Sequence, residues 1–396
     1  LALAAAIWIS GMARPAAHTR VERLADIDAH TSVQHTLQLP REYFDNGAIT
    51  TLDHNVASYQ PQNMEMLSLL SMSLRANAWN SMYAAKAIHG FMGILAVVAI
   101  FTSLPANRFR SAAAALLLAT TPLVLYASWV ASYELGSILY LSLAVLWLGR
   151  WLKQADWRNA MPIGLALGAV AGITYGSLTT VILPVLVVMT ICSLRAPKRL
   201  LHLVGIVLVA MLLVSPWLVR TGLATGNPVF PLATQTFGAP DTWTEQSQQR
   251  WDAVHSVQLE SPVPPMAGLD VISGDVWPLR LQDVYGKFLL QETFGPMTLL
   301  LAGLAVCVLV ADQKKRPWQW ALAGVAIVQL VLWFALSPDM TGLYLLPIIV
   351  PLVLLVAALI ERLEGVTVNP FRKGRDKAPT PWGRTASQII LSLAVV

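Results

Sequence analysis

"TTPLVLYASWVASYELGSILYLSLAVLWLGRW", residues 120–151, carries a single carboxylate, Glu134, between two apolar runs. The run before it, about 111–131, and the run after it, about 135–152, each approach the ~20 residues an α-helix needs to cross about 30 Å of hydrocarbon. The stretch therefore predicts two membrane spans joined by a short turn, with one ionisable group at the joint. Insertion scales put a charge at mid-bilayer at about 2.5–3.5 kcal/mol, and the same charge costs little at the interface. Glu134 is expected at the membrane boundary, either as a functional carboxylate or as a loop residue that ends a helix.

Working outward, similar apolar stretches recur at about 84–104, 160–175, 177–194, 200–219, 296–311, 317–336 and 341–360. Leu1–Ser10 is too brief to cross, and Ile389–Val396 stops as it becomes apolar. No Met precedes Leu1, so both terminal spans are expected to be cut short, giving about 11 spans in an all-α, polytopic transmembrane bundle. Composition agrees: 56% of the residues are hydrophobic and 12% charged, more apolar surface than a water-soluble domain can hide. The net charge of +5 is no sign of nucleic-acid binding here, because its distribution matters more than its sum. Cys192 and Cys307 both lie in apolar runs and read as small core residues.

Basic residues set the orientation. Arg108 and Arg110, then Arg150, Lys153 and Arg158, then Arg195, Lys198 and Arg199, then Lys314, Lys315 and Arg316 occupy short connections after alternate spans, and a basic cluster runs from Arg362 to Arg384. These loops fall on one side, which the positive-inside rule makes the cytoplasm. The expected organisation is a transmembrane domain over 1–360, a basic cytoplasmic linker over 361–384 and the start of a further helix at 385–396. The long loops, 11–83 and 220–295, then face away from the cytoplasm. Soluble nucleotides are supplied inside, so a reaction at that outer face must draw on a membrane-borne substrate, and a lipid-linked donor is the natural candidate.

The first outer loop opens with "DIDAHTSVQHTLQLPREYFDNG" (26–47), which gathers Asp26, Asp28, Glu42 and Asp45 in a chain with 22 acidic residues in all. Residues 28–39 have helical spacing, Pro40 suits the first turn of a second helix, and Gly47 closes it. A further amphipathic segment, "SYQPQNMEMLSLLSMSL" (58–74), sets Glu65 among Met64, Met66, Leu67 and Leu70. Such helices lie flat on a bilayer. Glu65 is either paired or raised in pKa, or it simply points to water. The second loop opens with "SPWLVRTGLATGNPVFPLATQTFG" (215–238), where Arg220 stands at a span end beside flexible glycines. Guanidinium matches phosphate oxygens, so Arg220 is a candidate for a lipid phosphate, with interfacial snorkelling as the alternative.

These elements, in this order, resemble the GT-C glycosyltransferase superfamily, in particular bacterial relatives of protein O-mannosyltransferases and the lipid A aminoarabinose transferase. The resemblance is carried by "DIDAHTSVQHTLQLPREYFDNGAI", "YQPQNMEML", the 120–151 stretch, "PWLVRTGLATGNPVFPL" and "GLYLLPIIVPLVLLVA", which span most of residues 26–360. It implies a membrane glycosyltransferase that moves a sugar from a polyprenyl-phosphate donor to a glycan, lipid or protein acceptor at the outer face of a bacterial cytoplasmic membrane. By resemblance the catalytic carboxylates are Asp28, with Asp26 as a close rival, and Glu134. Arg220 and Tyr344 match donor-phosphate positions. Some members bind a divalent metal through a carboxylate and a His, for which Glu65 and His255 are counterparts that no spacing supports.

Two departures stand out. A Lys common after the fifth of these spans is replaced by "TYGSLTT", and an Arg-Tyr before "LLP" becomes Leu343–Tyr344. The alternative reading is therefore an inactive GT-C-like protein that binds membrane lipid or scaffolds a membrane complex. A transporter would call for inverted repeats and broken mid-membrane helices, and no clear repeat is found. Gly164, Gly168 and Gly172 read as a helix-packing stripe, Trp217 and Trp333 as interfacial belt residues, and His89 and His202 as hydrogen-bonded members of the bundle.

Overall fold

A computed structural model of the chain describes residues 2–13, 33–103, 108–194, 196–255, 281, 294, 296–311, 317–336 and 342–366. Among these residues the backbone is helical, with one isolated bridge between Leu52 and Asn55 and no strand. In chain order the helices are α1 (Ala2–Met12), α2 (Leu39–Asn46), α3 (Asn63–Arg75), α4 (Ala78–Ser103), α5 (Arg108–Thr120), α6 (Pro122–Trp129) and α7 (Glu134–Lys153). They continue with α8 (Trp157–Ala171), α9 (Leu183–Ser193), α10 (Pro197–Thr225), α11 (Glu245–His255), α12 (Pro296–Ala311), α13 (Pro317–Leu336) and α14 (Ile349–Val366).

Every full-length apolar stretch marked in the sequence falls on a helix or a helix pair. Among the described residues five helices are long and apolar enough to cross a membrane: α4, α7, α10, α13 and the helix ending in α14. The chain is thus a polytopic helical membrane protein. The pair α5–α6 makes a sixth candidate span, bent by 59° where Pro122, which lacks an N–H, starts a new helix. Local sequence explains the other boundaries. Asp156 caps α8 by accepting from the Asn159 N–H at 2.9 Å. Gly47 closes α2 with φ +63, a conformation open to glycine at no steric cost.

Burial separates a core from a lipid face. The helix containing α14 is largely buried, whereas α10 presents Leu208, Leu212 and Leu223 outward. Exposed leucines on a helix of this length are what acyl chains contact. The glycine stripe packs as expected at its first two positions. A Cβ on Gly168 would lie 2.9 Å from the Ala210 Cα, and one on Gly164 would lie 3.0 Å from the Ile206 oxygen, so α8 and α10 meet at backbone distance. Gly172 differs: it makes room for the Asn63 side chain reaching in from α3.

Several expectations are corrected. Trp333 is not at an exposed belt; it is 3% exposed and lines a cavity. The helices also run past the expected boundaries: α4 begins at Ala78, α10 extends to Thr225 and α14 to Val366, which shortens both long loops and the linker. The linker's remainder and residues 385–396 lie outside the described residues, as do 14–32.

Candidate functional site

Helix α3 is amphipathic in an inverted sense. Its Glu65, Ser68 and Ser71 are buried, while Leu70 and Leu74 are exposed. The polar face therefore turns toward the bundle and the leucines toward the region where acyl chains would lie. This decides between the readings of Glu65: it is 5% exposed, and its Oε2 has no hydrogen-bond partner. Burial is the main cause that raises its pKa to about 8, and the nearby Glu134 adds to it.

Glu65 lines a cavity of about 610 Å³. Aromatic walls come from Tyr133, Tyr175, Trp251, Trp333 and Tyr344. A polar rim comes from the 56–62 loop and from Thr174, Thr179 and Thr180. The stretch from Gly172 to Ser177, between α8 and the π-helical turn Leu178–Ile182 that precedes α9, contributes much of this lining. Irregular backbone is tolerated at membrane depth where it borders a cavity.

Glu134 stands beside this cavity, at the first residue of α7, and is 7% exposed. Its side chain accepts from the Ser132 hydroxyl and is hydrogen-bonded to Tyr133, which in turn lies within electrostatic reach of Glu65 and Tyr344. The turn that presents it is unusual, because Ala131 has φ +55 with its side chain fully buried. A non-glycine residue held there stores about 1–3 kcal/mol and persists only where its surroundings enforce it.

Arg220 is placed elsewhere. Its Nη1 donates to the Ser58 carbonyl at 2.8 Å, and its Nη2 to the Thr50 carbonyl at 2.9 Å and to the Tyr43 hydroxyl at 3.4 Å. Neighbouring residues of α10 act in the same way: Thr221 Oγ1 donates to the Tyr59 carbonyl at 2.7 Å and Trp217 Nε1 to Asn63 Oδ1 at 2.8 Å. Asn63 also donates to the Ala169 carbonyl at 3.0 Å. Together α8 and α10 clamp residues 50–63, the loop that borders the cavity. The guanidinium expected from sequence at a donor phosphate is here engaged by loop carbonyls and does not line the cavity.

Of the site residues expected from sequence, Glu65 and Tyr344 line the cavity and Glu134 adjoins it. Asp26 and Asp28 lie outside the described residues, as does the side chain of His255, the last residue of α11. Among the described residues no group of three or more His, Cys, Asp or Glu converges on one point. Glu65 offers one unpartnered oxygen to a cation, and no chemical step is routed through a metal. Tyr133, Tyr175 and Trp333 were not singled out for function from sequence, since isolated aromatics among apolar residues look alike whether they face lipid or a cavity.

A family profile described as Domain of unknown function (DUF8201) matches residues 66–341. Comparison with curated proteins gives no match. Among solved structures, ArnT from Cupriavidus metallidurans in the apo state is similar at a TM-score of 0.58 and 17% identity, over 91% of this chain and 58% of that one. The same enzyme bound to undecaprenyl phosphate is similar at 0.60 and 16% identity, over 100% of this chain and 69% of that one. The chain thus spans less than two thirds of the length of the apo ArnT structure. At this identity the likeness speaks to fold, which is GT-C-like.

Proposed function

Since the chain belongs to the family described as Domain of unknown function (DUF8201) and carries a GT-C-like fold, we propose that it is a membrane glycosyltransferase. In this reading it moves a sugar from a polyprenyl-phosphate carrier to a glycan, lipid or protein acceptor, at the non-cytoplasmic face of a bacterial cytoplasmic membrane. The observation that supports it best is a pair of buried carboxylates, Glu65 at the wall of an aromatic-lined cavity and Glu134 beside it, within a membrane bundle. The match over the whole chain to ArnT bound to undecaprenyl phosphate supports a polyprenyl-phosphate ligand.

The proposed chemistry needs a carboxylate as base. An acceptor hydroxyl or amine loses its proton as it attacks the sugar C1, and a carboxylate within about 3 Å takes it. Asp28 and Glu134 are the proposed carboxylates, with Asp26 as the rival to Asp28. The bond from C1 to the phosphate oxygen breaks, the electron pair leaves with the lipid phosphate, and a single displacement inverts the anomeric carbon. The aromatic walls exclude water that would otherwise hydrolyse the donor.

The test is transfer from undecaprenyl-phosphate-linked sugars by the purified full chain and by Glu134→Gln and Asp28→Asn. Removing a general base lowers turnover by about 10²–10⁴-fold. Undiminished transfer by both folded variants rejects the assignment. A second reading, a lipid-binding or scaffolding protein, is favoured by one feature: the described cavity lining holds no Lys or Arg to neutralise a phosphate. Binding of undecaprenyl phosphate without transfer by the wild-type chain selects it.

A further inference from the structure

The imidazole of His89, on α4, takes no part in the chemistry above, yet it is completely buried and both of its nitrogens are engaged. Nδ1 lies 3.2 Å from the Ser132 carbonyl oxygen, and Nε2 lies 3.3 Å from Ser68 Oγ on α3. A carbonyl oxygen only accepts, so Nδ1 carries the proton and Nε2 accepts from the Ser68 hydroxyl. That arrangement fixes one tautomer of a neutral ring, with no rotation available that keeps both contacts. The ring thereby joins α3, α4 and the turn between α6 and α7.

The peptide it holds, Ser132–Tyr133, begins one residue after Ala131, the buried residue with φ +55. Left-handed backbone at an alanine relaxes unless the chain next to it is pinned, and the Ser132 carbonyl is such a point, one residue on. On the same residue, the Ser132 hydroxyl donates to Glu134. A continuous run of buried contacts therefore leads from Ser68 through His89 and the Ser132 peptide to the Glu134 carboxylate.

We propose that His89 is the positioning residue of Glu134: by holding the Ser132 carbonyl it keeps the Ala131 turn closed, and so sets the direction of Ser132 Oγ and of the carboxylate. This role rests on the reading of Glu134 as a reacting carboxylate only for its consequence in catalysis. The geometric claim is separately measurable.

The probe is dicyclohexylcarbodiimide, an apolar reagent for buried carboxyl groups, applied to the full chain in detergent micelles. The labelling rate of the peptide containing Glu134 is followed by mass spectrometry, with the Glu65 peptide as internal reference and the melting temperature recorded for each variant. Asparagine places its amide N–H near the position of Nδ1, and glutamine places its amide near Nε2. His89→Asn is therefore expected to label within about twofold of wild type, and His89→Gln about fivefold faster or more. Ser68→Ala removes only the far contact and is expected to stay within about twofold. Ser132→Ala is expected to match His89→Gln, and the double variant to go no further, because the two contacts act in series on one carboxylate.

Equal labelling of His89→Gln and wild type overturns the proposal, as does labelling of His89→Asn as fast as His89→Gln at equal melting temperature. Should His89→Gln not fold, hydrogen exchange at the amides of residues 132–136 in His89→Asn decides. Protection equal to wild type is expected, and its loss overturns the proposal. In the transfer assay His89→Gln is expected to lower kcat about tenfold with KM unchanged. Absence of transfer by every form, wild type included, counts against the glycosyltransferase reading and leaves the labelling result standing.

Discussion

Arg220→Ala separates two roles for one cation. The side chain makes three hydrogen bonds, to the Ser58 and Thr50 carbonyls and to the Tyr43 hydroxyl. Hydrogen bonds to charged groups contribute about 1.5–3 kcal/mol each, so a plain sum would exceed 4 kcal/mol. That sum is too large, because the partners are not left bare. The Ser58 carbonyl keeps Gln62 Nε2 at 2.8 Å, the Tyr43 hydroxyl keeps Gln62 Oε1 at 3.1 Å, and Thr50 is exposed to water. Arg220 is itself only half-buried, which weakens its contacts further. We expect a loss of about 2–3 kcal/mol, confined to the clamp between α10 and residues 50–60. At 1.4 kcal/mol per factor of ten, that is about a 30- to 150-fold rise in local opening. Hydrogen exchange of backbone amides in residues 50–60, with α7 as an internal reference, reads it directly. Arg220→Lys is expected to fall between, since one ammonium cannot span two carbonyls as a planar fork does. Unchanged exchange in Arg220→Ala together with lost binding of undecaprenyl phosphate would refute the clamp and return Arg220 to the ligand.

Other outcomes follow from the same geometry. Glu65 has a folded pKa of about 8 against 4.5 for the free group, so its stabilising contribution is complete below about pH 4.5 and declines as pH rises toward 8. The melting temperature of the wild type should therefore fall over that window, and Glu65→Gln should flatten the fall; an equal slope in both forms would contradict the burial assigned to Glu65. Gly168→Val places a side chain against the Ala210 backbone and should cost about 1–3 kcal/mol, seen as a lowered melting temperature, whereas Gly303→Ala, with open space around it, should change little.

Hydropathy sufficed for the spans, because a bilayer imposes length and polarity together, and the helix over Leu39–Asn46 was readable from Pro40 and Gly47. The inverted α3 was half readable. Its pattern announced an amphipathic helix, but not which face meets the bundle, since serine and leucine exchange places when the outer solvent is lipid. The bonds of Arg220 were not readable for a related reason: a guanidinium suits backbone carbonyls as well as phosphate, and the carbonyls of Ser58 and Thr50 lie more than 160 positions away. The Ala131 turn had no signature at all. Glycine usually marks such backbone, and here tertiary contacts impose it on an alanine.

The short helix α8 has one more consequence. At 15 residues it reaches about 22 Å, well under the thickness of a typical hydrocarbon core. Its partner α10, packed along it through Gly164 and Gly168, runs 29 residues. A bilayer that matches one cannot match the other, so hydrophobic mismatch must be met by tilt of the long helix or by thinning of the lipid around the short one. The α8 end leads straight into the wall of the cavity, which makes acyl-chain length a variable acting on that wall. Reconstitution across a series of phosphatidylcholines of increasing chain length should expose an optimum on the thin side.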